Sequence, residues 1–216
     1  MSTPEPDLRW AEVAEDLAAE FPALGLAFVV IPATPGRTPP GLRRRLKDMS
    51  NRYSGARAVN LRQEPIPWAY RVFFRQVGID PDESPTPVEA ISLERMRAGE
   101  FKSRNLVDDA LLCATMDTGV AVFAFDADEV SGAPRLDLTP KNRQLVISDD
   151  DGVVAELFGR RDQSIGVTDQ TRSIMLCAPR VKGVPEVSVQ EALWVASDLL
   201  AAGTLGKSAG GDHTSR

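Results

Sequence analysis

Hydrophobic residues recur every three or four positions through much of the first half of the chain, which is the spacing of an amphipathic helix. Residues 8–21 begin this series, with tryptophan, valine, leucine and phenylalanine at steps of three and four. The same spacing predicts three further helices, at residues 41–53, 67–78 and 106–117. A short apolar run at residues 24–32, closed by Pro32, instead predicts a buried strand.

Two more helices are predicted from the residues at their N-terminal ends. Thr86 and Glu89 form a capping box, and Pro87 stands at the first helical position. That helix is expected to run to about residue 99. A second start signal at Ser188 opens the last helix, and the Gly/Ser-rich residues after Gly203 are expected to be disordered.

Short segments rich in β-branched residues replace the helical spacing in the second half of the chain. Five of them are separated by Gly, Pro and Asp turns: residues 120–126, 135–139, 144–148, 153–157 and 173–178. Helices first and strands later are typical of an α+β protein. We therefore predict one α+β domain over residues 1–203, with N-terminal helices followed by a mostly antiparallel or mixed sheet, and a disordered tail over residues 204–216.

The composition excludes several classes of enzyme. The 216 residues include one histidine, His213, which lies in the Gly/Ser-rich tail. Hydrolases with a histidine base and zinc sites of histidine and cysteine are therefore not expected. Cys113 and Cys177 stand in apolar surroundings without Cys-x-x-Cys spacing, which favours two core thiols in a reducing cytoplasm. No cofactor or metal ion is predicted. No membrane partner is predicted either, because the longest apolar run is far shorter than a membrane span.

Basic residues are concentrated in one stretch of an otherwise acidic chain. Between Arg37 and Arg75 there are ten basic residues against two acidic ones, a local charge of +8 in a protein with a net charge of −6. A basic face on an acidic body attracts a polyanion to one side, which suits a specific RNA partner. The candidate RNA-binding residues are Arg43, Arg44, Lys47, Arg71 and Arg75. The alternative from charge alone is a solvated helix surface.

Polar clusters at the ends of predicted elements admit two interpretations. Residues 149–151 precede Gly152, and Asp126 and Asp128 form a second pair. Either group could chelate a divalent cation, but aspartate and glycine are also the residues of tight turns, and the turn interpretation is favoured. Asn105 and Asp108, at the start of a predicted helix, are likewise both suited to cap that helix.

An ordered series of motifs over residues 68–200 resembles one known family. The motifs are Tyr70-Arg71, Gly78-Ile79-Asp80-Pro81, Pro87-Val88-Glu89-Ala90, Asn105 with Val107-Asp108, Gly119 leading to Ala124-Phe125-Asp126, and Gly166-Val167-Thr168 with Thr171. The series is similar to the tRNA-binding B-three/B-four domain, the editing module of the phenylalanyl-tRNA synthetase beta subunit, which also occurs as free-standing proteins. The resemblance implies an α+β fold with a cavity for a wrongly attached amino acid and its terminal adenosine. The synthetase relatives hydrolyse tyrosine attached to the phenylalanine tRNA.

The resemblance also implies roles for particular residues. Asp162 would position the attacking water, and Arg160 and Arg161 would hold a terminal phosphate or the aminoacyl carbonyl. The substrate-binding pocket would further include Asn105, Asp108, Phe123 and Thr168. The chain departs from the editing pattern where Ala110 and Leu111 replace a Thr-Asn pair and where Phe123 replaces a histidine, which thins the polar lining.

Two functions are left open at this point. In the first, a free-standing, cytoplasmic relative of the editing domain binds tRNA and acts in trans as a deacylase of mischarged aminoacyl-tRNA. In the second, the pocket binds a small amino-acid-like ligand or an RNA end without catalysis. Loss of the Thr, Asn and His positions favours the second for the chemistry, whereas the basic stretch supports RNA binding in either.

Overall fold

The computed structural model describes residues 7–139, 144–158 and 164–208. Its strands are β1 (Arg9–Trp10), β2 (Glu12–Val13), β3 (Gly25–Pro32), β4 (Phe123–Asp126), β5 (Arg135–Leu138), β6 (Leu145–Ser148), β7 (Val153–Glu156), β8 (Ser164–Ile165) and β9 (Ser173–Arg180). Its helices are α1 (Glu15–Glu20), α2 (Pro40–Arg52), α3 (Gly55–Leu61), α4 (Pro65–Gln76), α5 (Pro87–Ala98), α6 (Leu106–Thr118) and α7 (Glu186–Ser208).

The strands form two sheets. The larger sheet has the order β1-β3-β9-β4-β8, and its centre is the antiparallel pair of β3 and β9, with Gly25 opposite Arg180 and Pro32 opposite Ser173. β4 is antiparallel to β9 and parallel to β8. The smaller sheet has the order β2-β5-β6-β7 and is antiparallel except between β2 and β5. Mixed sheets with most helices in the first half of the chain confirm the predicted α+β class.

The main core lies between the larger sheet and the pair of helices α6 and α7, which pack against each other while α7 covers β3 and β9. Leu106 at the start of α6 is fully buried. A Cβ atom at Gly203 would lie 2.4 Å from Leu106 Cδ1, so this close approach of α7 requires glycine. The N-terminal end of α6 is therefore held firmly by α7.

Residues 8–21 depart most from the predicted helices. Only α1 within this segment is helical, because β1 pairs with β3 and β2 pairs with β5. The Trp10 ring lies over Gly25, where a Cβ atom would meet it at 3.1 Å, and the Arg9 guanidinium lies 4.8 Å from the centre of the Phe28 ring. Edge pairing with β3 therefore overrides the helical spacing in this segment.

The other predicted helices are present, with ends within a few residues of those expected. The capping box of Thr86 and Glu89 opens α5, which ends at Gly99 with a φ of 81°. α3 was not predicted, because Leu61 is its only buried residue and no hydrophobic stripe marks it. α7 continues to Ser208, beyond the predicted start of the tail, and residues 209–216 lie outside the described part. None of the helices in the described ranges is both long and apolar enough to cross a membrane.

Candidate functional site

A cavity of about 990 Å³ is lined by four helices, by strands of the smaller sheet and by Phe123 of the larger sheet; α1 contributes Leu17 and Glu20. α4, α5 and α6 contribute to one wall, and the ends of β5, β6 and β7 contribute to the other. The apolar part of the lining includes Leu17, Phe21, Phe74, Leu112, Phe123, Leu145, Leu157 and Phe158. The volume is at the upper end of the range of about 300–1,000 Å³ that is usual for small-ligand sites.

The charged side chains around the cavity are mostly acidic. Among the described residues, three basic side chains line it, those of Arg95, Lys102 and Arg104. The acidic lining in the same described ranges has seven members: Glu20, Glu83, Glu94, Glu100, Asp108, Asp109 and Glu156. The excess of carboxylates among these described residues favours a cationic group beside them.

Asp109 is a buried carboxylate in the first turn of α6, with 1% of its surface exposed. Its Oδ2 accepts hydrogen bonds from Thr38 Oγ1 and Ser103 Oγ, both at 2.5 Å, and its Oδ1 accepts from the Arg104 backbone N–H at 2.9 Å. Three donors satisfy the carboxylate. Asp109 therefore fastens two loops to α6 and shapes the cavity wall.

Asn105 and Asp108 have different places at the start of α6. Asn105 is the N-cap: its Oδ1 accepts from the Asp108 backbone N–H at 2.9 Å, and its Nδ2 donates to Asp108 Oδ2 at 2.7 Å. The capping interpretation of Asn105 is thus confirmed. Asp108 lines the cavity, whereas Asn105 supports it from behind and does not line the cavity.

Two arginines connect the cavity wall to neighbouring elements. Arg104 Nη2 lies 2.9 Å from Glu94 Oε1, which joins the segment before α6 to α5. Arg95 Nη2 donates to the backbone carbonyl oxygens of Ser50 at 2.9 Å and Tyr53 at 3.3 Å, at the C-terminal end of α2. α5 therefore contacts both the cavity and the end of the basic helix α2.

Phe158 joins the cavity lining to an aromatic cluster. Its ring centroid lies 5.0 Å from that of Phe74, 5.8 Å from Tyr70, 6.1 Å from Phe73 and 6.2 Å from Phe123. Most of these pairs have the edge-to-face orientation that aromatic rings prefer. The apolar wall is therefore continuous with the packed aromatic side of α4.

The predicted pocket residue Phe123 does lie at the cavity. It is 8% exposed and belongs to the lining together with Asp108. Ala110 and Leu111, which stand where the resemblance expects a Thr-Asn pair, are fully buried and do not line the cavity. The structure thus brings together one helix and one strand of the predicted site.

Thr168 lies in a local turn before β9 and does not line the cavity. Its backbone N–H donates to Thr171 Oγ1 at 3.0 Å, and its own Oγ1 accepts from the Gln170 backbone N–H at 3.2 Å. Thr168 is exposed in this turn, and its predicted contact with substrate stays a prediction. The remaining predicted pocket residues, Arg160, Arg161 and Asp162, lie outside the described residues.

Arg71 is buried, and the prediction that it binds RNA is wrong. It is 4% exposed, with Nη1 2.7 Å from Glu89 Oε1 and Nη2 2.5 Å from Asp82 Oδ1. Burial acts to lower the pKa of Arg71, but the hydrogen bonds to Asp82 and Glu89 outweigh it and raise the pKa above its ordinary value. Since Glu89 also belongs to the capping box, this pair fastens α4 to α5.

The basic face that remains is on α2. Arg43, Arg44 and Lys47 are exposed, on the side of the helix away from its buried leucines. The side chain of Arg75 on α4 is 48% exposed and lies 3.6 Å from Asp82. The cations of α2 are thus exposed to solvent, whereas Arg75 shares a carboxylate with Arg71.

The aspartate clusters act as turn residues. Asp149 accepts backbone hydrogen bonds from Ser131 at 2.9 Å, Asp151 at 2.9 Å and Gly152 at 3.0 Å. These bonds, that from Ser131 above all, lower the pKa of Asp149 below its usual value. Asp126 accepts in the same way from the backbone N–H two residues later. The turn interpretation is confirmed for both groups, and no group of three or more His, Cys, Asp or Glu side chains in the described ranges could hold a metal ion.

Both cysteines are core residues. Cys113 and Cys177 are fully buried and unpaired as thiols. Burial raises the pKa of Cys113 to about 12 and raises that of Cys177 as well. A thiol that stays protonated at neutral pH is a poor nucleophile, so the core interpretation is confirmed.

Several residues of the cavity were not singled out from the sequence, among them Glu94, Arg104, Glu156 and Phe158. They come from three separate segments, since Glu156 and Phe158 are two positions apart, and no motif unites them. Arg104 precedes the predicted pocket residue Asn105, which was the one local signal available. These residues can be recognised as parts of one site only when the fold places α5, α6 and β7 around the same cavity.

Comparison with known proteins assigns no family to this chain. No family model matches it, and no curated protein matches it. The resemblance to the B-three/B-four domain therefore stays a prediction from the ordered motifs.

Proposed function

We propose that this protein binds the aminoacyl end of a tRNA, with the amino acid in the cavity and the RNA backbone on the basic face of α2. The observation that carries the proposal is the cavity itself. Its wall includes Asp108 of α6 and Phe123 of β4, two residues that the resemblance to the editing domain places in the pocket.

The chemistry of the lining fits an amino acid ester. Such a ligand has an ammonium group beside its carbonyl carbon and, in many cases, an apolar side chain. Carboxylates such as Asp108 and Glu156 attract the ammonium group. Phe74 and Leu112 offer apolar surface, on which burial contributes about 25 cal/mol per Å².

The RNA backbone needs cations beyond the described lining, because the carboxylates there repel phosphates. Arg43, Arg44 and Lys47 provide exposed cations on α2. The hydrogen bonds of Arg95 to the C-terminal end of α2 connect that helix to the cavity wall. The cations of α2 and the carboxylates of the cavity are in different places, which supports two binding sites: α2 binds the polyanion, and the cavity selects the aminoacyl group.

Hydrolysis is the catalytic extension of this proposal. Water would add to the ester carbonyl carbon, and the bond from that carbon to the ribose oxygen would break. The products would be the free amino acid and a tRNA with a free ribose hydroxyl. Asp162 is the residue proposed to accept the proton of the water. A second candidate function, binding of a free amino acid or related amine without RNA, is favoured by the excess of carboxylates around the cavity.

Binding of three forms of one tRNA tests the proposal. The forms are uncharged tRNA, tRNA carrying an amide-linked amino acid that cannot be hydrolysed, and the ordinary aminoacyl ester. We expect the amide-linked form to bind more tightly than uncharged tRNA, as measured by fluorescence anisotropy. Asp108→Asn and Glu156→Gln should reduce this preference and leave uncharged tRNA binding intact, whereas the control Glu129→Gln, at an exposed carboxylate outside the lining, should not.

The other outcomes decide between the candidates. Equal affinity for charged and uncharged tRNA would remove the cavity from the proposal. Binding of a free amino acid amide without any binding of tRNA would favour the second candidate. Release of amino acid from the ester form, abolished by Asp162→Ala, would identify a deacylase, and stable ester in the presence of protein would restrict the function to binding.

A further inference from the structure

Phe158 has a backbone conformation that residues with a side chain rarely adopt. Its φ is 62°, and among the residues that the structure describes it is the only non-glycine with a positive φ. The left-handed region is avoided because it brings Cβ close to a backbone carbonyl oxygen. The next residue in the chain is Gly159. A phenylalanine kept in this conformation, with a glycine one position away, indicates that the location of its ring matters.

The Phe158 ring separates the cavity from two aromatic side chains that do not line it. Phe158 lines the cavity together with Phe74 and Phe123. It is also 5.8 Å from the ring of Tyr70 and 6.1 Å from that of Phe73, neither of which reaches the cavity. Phe158 therefore lies between the cavity and the Tyr70 and Phe73 side chains of α4.

The side chains behind Phe158 are fixed. Tyr70 is 1% exposed and Phe73 is 3% exposed, and the Tyr70 hydroxyl donates to the Pro179 carbonyl oxygen at 2.6 Å. Truncating a residue beside such closely packed neighbours leaves a void, because they relax only partly. A void lined by aromatic rings stays dry and accepts small apolar molecules.

We infer that Phe158 sets the size limit for the apolar group that the cavity accepts. The left-handed backbone directs the ring into the space beside Tyr70 and Phe73, which a larger ligand group would otherwise occupy. The inference rests on the proposed function for the nature of the ligand, an amino acid ester, while the size limit itself applies to any apolar group in the cavity. Phe158 is then a specificity-determining residue and takes no part in bond breaking.

Glycine and leucine at position 158 test the size limit directly. Glycine accepts a φ of 62° without strain, so Phe158→Gly is expected to fold, and Phe158→Leu keeps part of the side chain. The probe is indole, with affinity measured by isothermal titration calorimetry. We expect indole to bind Phe158→Gly at least about tenfold more tightly than the wild type, with Phe158→Leu between them. The matched control is Phe73→Leu, in the same aromatic cluster but outside the lining, and it should leave indole binding unchanged.

A second measurement uses alanyl-adenosine and tryptophanyl-adenosine joined through a 3′-amide. In Phe158→Gly, the ratio of the two affinities should shift towards the tryptophanyl compound by at least about tenfold relative to the wild type. If indole binds only the position-158 variants and neither amide binds any protein, the proposed function fails while the size limit stands. If the wild type binds the amides but Phe158→Gly changes neither measurement, or Phe73→Leu gains indole binding equally, the inference about Phe158 is overturned while the proposed function stands.

Discussion

The basic residues of α2 and the buried arginine of α4 come from one stretch of sequence but have different roles. Arg43, Arg44 and Lys47 are exposed, whereas Arg71 is 4% exposed and is bonded to Glu89. The difference arises from the neighbours of each helix. α5 places a carboxylate against α4, while the basic side of α2 is left to solvent. A charge count along the chain therefore finds basic residues but does not find the basic surface.

Loss of Arg71 should be the most damaging change in either region. Arg71→Ala leaves the buried carboxylate of Glu89 without its nearest cation, and breaking such a pair costs about 3–5 kcal/mol. We expect a loss near the lower end, about 3 kcal/mol, because Arg62 Nε remains 3.2 Å from Glu89. Urea denaturation at neutral pH measures the change in the free energy of unfolding. Arg75→Ala removes an exposed partner of Asp82 and should cost about 0–1 kcal/mol, so equal losses at the two positions would contradict the distinction.

Charge reversal on α2 should have the opposite profile, with a large effect on RNA binding and a small one on stability. We expect Arg43→Glu, Arg44→Glu and Lys47→Glu together to change the free energy of unfolding by no more than about 0.5 kcal/mol per site. The slope of log affinity against log salt concentration for tRNA is negative, and its magnitude should decrease by about 3 because three phosphate contacts are lost. Lys182→Glu, at an exposed lysine before α7, serves as the control. An unchanged salt slope in the triple variant would exclude α2 as the RNA-binding face.

Local patterns predict the elements of this protein better than they predict its site. The capping box of Thr86 and Glu89 involves residues three positions apart, so α5 could be placed from sequence. Residues 8–21 have helical spacing, but pairing with β3 is a distant interaction that the spacing does not contain. The same holds for Arg71, whose burial depends on Glu89 eighteen positions later.

The cavity was the least predictable feature for the same reason. Asp108 and Phe123 were expected in it from the resemblance, and both line it. The acidic lining comes from segments as distant as α1, α5 and β7, and no local pattern along the chain unites them. Phe158 has no sequence signal either, because positive φ is usual for glycine and its neighbour Gly159 is the residue that sequence reasoning would choose.

Asn105 is a polar residue at the edge of the site that caps α6, so its substitution separates a structural role from ligand binding. Asn105→Ala removes the N-cap of α6 and should cost about 1 kcal/mol in the free energy of unfolding. Asn105→Ser retains a capping oxygen and should restore most of that loss. Thermal denaturation measures both variants, and binding of amide-linked aminoacyl-tRNA to Asn105→Ser should match the wild type. A stable Asn105→Ser protein that no longer binds would assign Asn105 to the ligand.

The smallest expected effect concerns Asp82, which contacts the buried arginine from a side chain that is 55% exposed. The hydrogen bond from Arg71 holds the pKa of Asp82 below its usual value, with weaker contributions from Arg75 and Arg62. A carboxylate whose pKa is lower in the folded state than in the unfolded state stabilises fully above the unfolded value, about 4, and loses that contribution as the pH falls through its folded-state pKa. We therefore expect Asp82→Asn to lower Tm slightly at neutral pH, and this difference from the wild type to shrink as the pH falls below about 4.

The control is Asp117→Asn, which removes the partner of Arg45 on α2. Both of these side chains are exposed, so this change should lower Tm less at neutral pH than Asp82→Asn does. A Tm difference for Asp82→Asn that is the same at neutral and acid pH would mean that its charge is not what holds Arg71 in place.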